Sequence, residues 1–247
     1  MSRRTTIATL ALALLAAPAL AEPTAITIRP ISHDGKFIGD SMGGVRVRLT
    51  EAASGRELAA GTTSGTTGDT RKLVVEPRQR QAPIHTPDAA AFRAVVDIDR
   101  PTLVRVEATG PLGKPDAQVT VSAMRWLLPG QPLDGAGWTL EFPGLAVEPN
   151  WTLQAGGLDL VAKVTLMCGC PIEPGGHWDA AQYRVQAALY DGETLLQAAD
   201  LAYAGKPSTF AGQLRRPRPG AYRLLLTAHN ATTGNVGVSE RTVDIAP

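Results

Sequence analysis

Residues 158–179 read LDLVAKVTLMCGCPIEPGGHWD, and the first nine of them govern how the rest of the chain is read. Leu158, Leu160, Ala162, Val164 and Leu166 share one parity, while Asp159, Lys163 and Thr165 take the other. A period of two belongs to a half-buried strand, because successive side chains leave a strand on opposite faces. Cys168 and Cys170 continue the apolar parity. In an unbroken strand they would stand about 6.7 Å apart, too far for a disulfide, whose Cβ atoms approach to about 3.8 Å. Gly169 permits a fold-back and Pro171 has no amide hydrogen for a ladder, so the strand is predicted to end at the cysteines in a tight turn.

Three states of that pair stay open. Two thiolates can grip one ion at about 2.3 Å each. Met167 and His177 are the nearest further donors, and the turn-rich Glu173-Pro174-Gly175-Gly176 can bring His177 back over the sulfurs. Met167, Cys168, Cys170 and His177 are therefore the candidate ligands of a soft metal, and a sulfur-rich, low-coordinate set suits Cu(I) better than zinc. In the second state the thiols are oxidised to a local disulfide, as is common in exported proteins. The loop carrying Pro171, Glu173 and Trp178 is then a recognition surface. The third state is a pair of inert buried thiols.

The chain's start places it outside the cytoplasm. A basic segment ends at Arg4, residues 7–20 are almost entirely Ala and Leu, and Ala19-Leu20-Ala21 is a small-residue cleavage site. Residues 1–21 are read as a signal peptide, which makes the mature protein periplasmic or secreted. The formal net charge of +1 becomes −1 once Arg3 and Arg4 are removed. A near-neutral chain has no electrostatic footprint for nucleic acid, and the leader's apolar run is too short for a membrane span. With 25 Gly, 19 Pro and no long helical period, the composition asks for many short strands and tight turns. With one cysteine pair, the fold has to rest on its cores.

The expected class is all-β, two β-sandwich domains at 22–127 and 150–247, with the Pro- and Gly-rich 128–149 as a linker or interdomain cover in which Trp138, Leu140 and Phe142 offer one added strand. Val45, Val47 and Leu49 alternate with Arg46, Arg48 and Thr50, the cleanest strand in the chain. Residues 78–91, with His85, read as an exposed loop. Further on, Tyr183, Val185, Ala187 and Leu189 alternate up to an Asp191-Gly192 hairpin signal, and Tyr222, Leu224 and Leu226 follow Pro219-Gly220.

Residues 43–75, GGVRVRLTEAASGRELAAGTTSGTTGDTRKLVV, resemble transthyretin-like or carboxypeptidase-regulatory-like β-sandwich modules, with a longer second hairpin at Ser64 to Asp69. The second half resembles an immunoglobulin-like sandwich, with Tyr222 placed like a tyrosine corner and without the cysteine and tryptophan pattern of antibody domains. Both resemblances imply a fold and no chemistry. Phe37-Ile38-Gly39-Asp40-Ser41 is similar to the nucleophile block of the GDSL hydrolases. Their alternating helices and late Asp-His pair are missing, so no catalytic machinery is expected. The expectation for function is an exported, non-enzymatic binding protein, a copper carrier or sink, or else a structural module that binds another exported protein.

Overall fold

The computed structural model of the protein describes residues 21–246 and is all-β. The expected leader, apart from Ala21, lies outside the described residues. Fourteen strands follow one another: β1 (Glu22–Ser32), β2 (Arg46–Glu51), β3 (Glu57–Thr62), β4 (Phe92–Ile98), β5 (Thr102–Gly110), β6 (Val119–Leu127), β7 (Leu133–Phe142), β8 (Leu145–Leu153), β9 (Gly157–Leu166), β10 (Tyr183–Asp191), β11 (Thr194–Tyr203), β12 (Thr209–Arg215), β13 (Gly220–Asn230) and β14 (Asn235–Ile245). Among the described residues no helix is long and apolar enough to cross a membrane.

The first seven strands make two sheets, ordered β4-β1-β7 and β3-β2-β5-β6. The alternation of β2 is realised as expected, with Val47 and Leu49 buried and Arg46 and Arg48 exposed. Ile26 and Ile28 from β1, Val104 and Val106 from β5, and Leu140 and Phe142 from β7 complete the core. Each such side chain contributes about 1.5–3 kcal/mol when fully buried. The β1–β7 pair is parallel, with Ile28 beside Trp138 and Pro30 beside Leu140.

β1 is buried on both faces, Ile26 and Ile28 on one and Thr27, Arg29 and Ile31 on the other, so its outer face needs a roof that also gives the Arg29 guanidinium an acceptor, the Ala89 carbonyl at 2.9 Å. The excursion between β3 and β4 supplies it: Leu73, Ala89 and Ala90 pack on Ile31 and Phe37. This corrects the reading of 78–91 as an exposed loop in part: residues 78–83, Pro87 and Asp88 are exposed, but residues 84–86 are half-covered and Ala89 to Ala91 are buried. His85, expected in solvent, is half-covered. Burial first, then the charges of Arg29, Lys72 and Arg93, hold its imidazole below the ordinary value.

The last seven strands form one antiparallel sheet, β14-β13-β10-β11-β12-β9-β8, folded over a second core. β11 turns the corner. It pairs with β10 as far as Leu201 and then with β12 through Ala202 and Tyr203. Where β8 and β14 close the other side, Gly237 faces Leu145, and a Cβ there would lie 2.4 Å from the Leu145 carbonyl oxygen. Tyr222 donates its hydroxyl to the Arg218 carbonyl, 3.0 Å away, as a tyrosine corner does.

The segment 128–149 is not a linker. Trp138, Leu140 and Phe142 alternate inward on β7, and β8 begins at Leu145 with Leu145, Ala146 and Val147 buried. Pro129, Gly130, Pro132, Pro143 and Gly144 sit in the flanking turns, Gly135 and Gly137 lie in the first half of β7, and Pro149 is accommodated because β8 is an edge strand. Between the sandwiches only Pro143 and Gly144 lie outside a strand.

Candidate functional site

β9 runs to Leu166 and stops, as expected, at the cysteines. Gly169 takes φ +75°, a left-handed conformation open to glycine, and its amide donates to the Leu166 carbonyl at 2.8 Å. The fold-back brings the Cα atoms of Cys168 and Cys170 to 5.3 Å and their sulfurs into a disulfide. Both residues are buried, at 2% and 3% exposure, inside the core of the second sandwich.

This turn lies on the seam between the two sandwiches. A Cβ on Gly35, in the loop after β1, would meet Cys168 Sγ at 3.1 Å, and one on Gly169 would meet Met42 Sδ at 2.8 Å. Trp178 Nε1 donates to the Asp34 carbonyl at 2.6 Å. His33 places one ring nitrogen on the Glu141 carboxylate and the other 3.0 Å from the Thr233 carbonyl. Asn235 donates to the His33 carbonyl and accepts from the Gly144 amide. Arg241 pairs with Asp116, and Lys114 with Glu148. Tyr183 comes close to the same loop: burial first, then the Asp34 charge, push its hydroxyl up, against the neighbouring Asn230 amide.

The expected metal donors are not brought together. Met167 turns away from the sulfurs into the core of the first sandwich, where its Cε lies beside Gly144. It follows β9 with opposite parity to Cys168, so it faces the other body. His177 stands exposed, edge-on to Trp178 with ring centroids 6.1 Å apart. With both sulfurs bonded to each other, neither is a thiolate ligand. Among the described residues no three His, Cys, Asp or Glu side chains are grouped to hold a metal.

The expected recognition loop is also divided. Pro171 is exposed and Glu173 is half-buried, but Trp178 is buried at 5% and belongs to the core. An indole that size finds a dry cover and a carbonyl acceptor in the seam, which an outward pose would forfeit. Glu173 organises the loop through its backbone, donating to the Trp178 carbonyl and accepting from Gly176 and Ala180.

Sequence reasoning missed a surface on β6. Its inward parity is half-covered, while Met124 and Trp126 on the outer parity are 49% and 62% exposed, and Leu128 just beyond is 50% exposed. β6 is the edge of its sheet, so one row of backbone groups has no neighbouring strand. The cross-strand neighbours of Trp126 and Met124 are Leu103 and Arg105. The signal was available in the even positions 124, 126 and 128, whose alternation is out of phase with Val119 and Val121.

No family model matches the chain. No curated protein matches it either. Among solved structures, the chicken interferon gamma receptor alpha chain is similar at 11% identity and a TM-score of 0.32, covering 93% of this chain and 99% of that one. Beta-glucuronidase 3 of Bacteroides uniformis aligns at 11% identity and 0.27, over 90% of this chain and 25% of the enzyme. A three-immunoglobulin-domain stretch of titin aligns at 13% and 0.23, over 92% and 66%. Likenesses this loose carry no argument, and the architecture rests on its own strands.

Proposed function

We propose that the protein is an exported, non-enzymatic binding module that docks another exported protein along β6. The carrying observation is an edge strand that displays Met124, Trp126 and Leu128 to solvent. Natural edges are ordinarily blunted by charge, proline or cover, because unpaired N–H and C=O groups recruit strands. Here the edge carries apolar side chains large enough to anchor a partner. Arg105, across the ladder from Met124, and Arg125, exposed on the opposite face of the same edge strand, have no ion-pair partner among the described residues, which favours an extended partner segment with acidic residues, added as one more strand. The disulfide and the separated donors weigh against a copper carrier: such a role would need the bridge reduced and Met167 and His177 drawn in from opposite sides of the turn.

The test is a photo-crosslinking residue at position 126, compared with the same residue at exposed Ala198 on β11, in cells that make the protein. A discrete adduct with a second protein at 126 and none at 198 is the expected result. Absence of an adduct at 126, equal adducts at both positions, or an adduct consisting only of two copies of this chain overturns the proposal.

A further inference from the structure

Beside the disulfide turn the two sandwiches leave a cleft of about 350 Å3, a volume suited to a small molecule and placed between two bodies, where such sites commonly occur. Lys114 and Ser41 come from the first sandwich, and Glu148, Lys163, Thr165 and Ser208 from the second, with Gly169 among the lining residues. Three observations give the cleft a chemistry.

Charge is unbalanced in it. Glu148 gives both carboxylate oxygens to Lys114, at 2.8 and 2.9 Å. Lys163 lies directly across the β8–β9 ladder from Glu148, yet has no ion-pair partner among the described residues. The cleft therefore holds two ammonium groups and one committed carboxylate.

A buried hydroxyl is left over. Thr165 lines the cleft, is 5% exposed, and its Oγ1 has no hydrogen-bond partner. A polar group kept dry and unpaired is destabilising unless something bonds it. Valine would fill the same space without that penalty.

One wall is fixed under strain. Ser208 is a non-glycine residue at φ +62°. Its carbonyl accepts from Val164 at 2.8 Å, its amide donates to Ile172 at 2.7 Å, and its hydroxyl accepts from the Ile172 amide at 3.1 Å. Residues held in sparsely populated conformations cluster at ligand sites, where neighbouring contacts over-determine them.

We propose that this cleft binds a small organic carboxylate, its charge neutralising Lys163 and an oxygen bonding the Thr165 hydroxyl. The site is independent of the β6 edge, and its occupant is a small molecule, not a protein segment. The full mature chain, disulfide intact, is titrated with acetate, succinate and citrate, against sodium chloride at matched ionic strength. Calorimetry and thermal unfolding report binding. At a hundredfold excess over Kd, at least one carboxylate should raise Tm by roughly 5–10 °C more than the chloride control. Lys163→Gln, a change at an exposed position, and Thr165→Val should each weaken that binding at least tenfold. Thr165→Val should match or exceed wild type in ligand-free Tm, which a hydroxyl serving only the fold would not allow. The proposal is overturned by an absence of saturable binding beyond the chloride control, by undiminished affinity in either variant, or by a ligand-free Tm of Thr165→Val below that of wild type.

Discussion

Both ring nitrogens of His33 face oxygen acceptors, the Glu141 carboxylate and the Thr233 carbonyl, an arrangement that favours the imidazolium, in which both nitrogens donate. The Glu141 contact is the main cause of an imidazole pKa raised above 6.5. The Thr233 carbonyl and the charges of Glu141 and Asp34 add to it, and partial burial opposes it. A raised folded value means that the seam gains stability from His33 fully below about pH 6.5 and loses it as pH climbs through that raised value. The side chain is 37% exposed, so the gain is screened and amounts to under about 1 kcal/mol. Urea midpoints of wild type and His33→Gln, measured from pH 6 to 8, should converge with rising pH, and a gap that stays flat or widens contradicts the imidazolium. At this same scale the sequence reached the Cys-Gly-Cys turn and the role of Gly169, because a glycine between two parity-matched cysteines has few other uses. It did not reach Met167. Parity says that a side chain changes face and is silent on whether a second core waits on the other side.

Strands whose alternation is uninterrupted, such as β2, β9, β10 and β13, were legible because each buries one face of a single sheet. β7 was legible only as the alternation of Trp138, Leu140 and Phe142 inside a stretch read as linker or cover, and β8 was hidden by its punctuation. Pro143 and Gly144 mark a real break, but it is two residues wide, and the composition of the whole stretch blurred it to twenty-two. The roof over β1 escaped notice for a different reason: Ala89, Ala90 and Leu73 follow no period, because they cover a strand without joining a ladder. The closure of the second sandwich makes a measurable claim at the scale of elements. A Cβ at Gly237 would lie 2.4 Å from Leu145 O and 2.8 Å from Leu145 Cβ and Val147 Cγ2, a backbone oxygen and two short, branch-point side-chain atoms of β8 with no flexible end to move aside. Gly237→Ala should therefore cost about 1–3 kcal/mol, as overpacking does. Gly156→Ala, where a Cβ meets nothing within 4 Å, should stay within about 0.5 kcal/mol of wild type. Equal chemical-denaturation midpoints for the two variants would mean that β8 and β14 do not approach as closely as described.

At the scale of the molecule, the seam makes the two sandwiches dependent on each other. A two-residue connection leaves no slack, Met167 from the second body completes the core of the first, and Trp178 uses an acceptor on the loop after β1. Separation would expose Met167, Trp178 and the disulfide together and leave the indole N–H and the Asn235 side-chain NH2 to find water. The intact chain is accordingly expected to unfold in one calorimetric transition, with the van't Hoff and calorimetric enthalpies equal. The same reasoning separates two truncations. A fragment beginning at Asn150 keeps the sequence-derived boundary but cuts β8 in half and removes Leu145, Ala146 and Val147, exposed by 3%, 0% and 3% in the whole chain. It should fail to fold. A fragment beginning at Gly144 retains the strand and should keep a β-type circular dichroism spectrum, with a lower Tm than the intact protein and enhanced binding of a hydrophobic dye at the bared seam. Two resolved transitions in the intact chain, or cooperative unfolding of the fragment from Asn150, would show that the sandwiches are independent and that the contacts around Cys168 and Trp178 contribute little to holding them together.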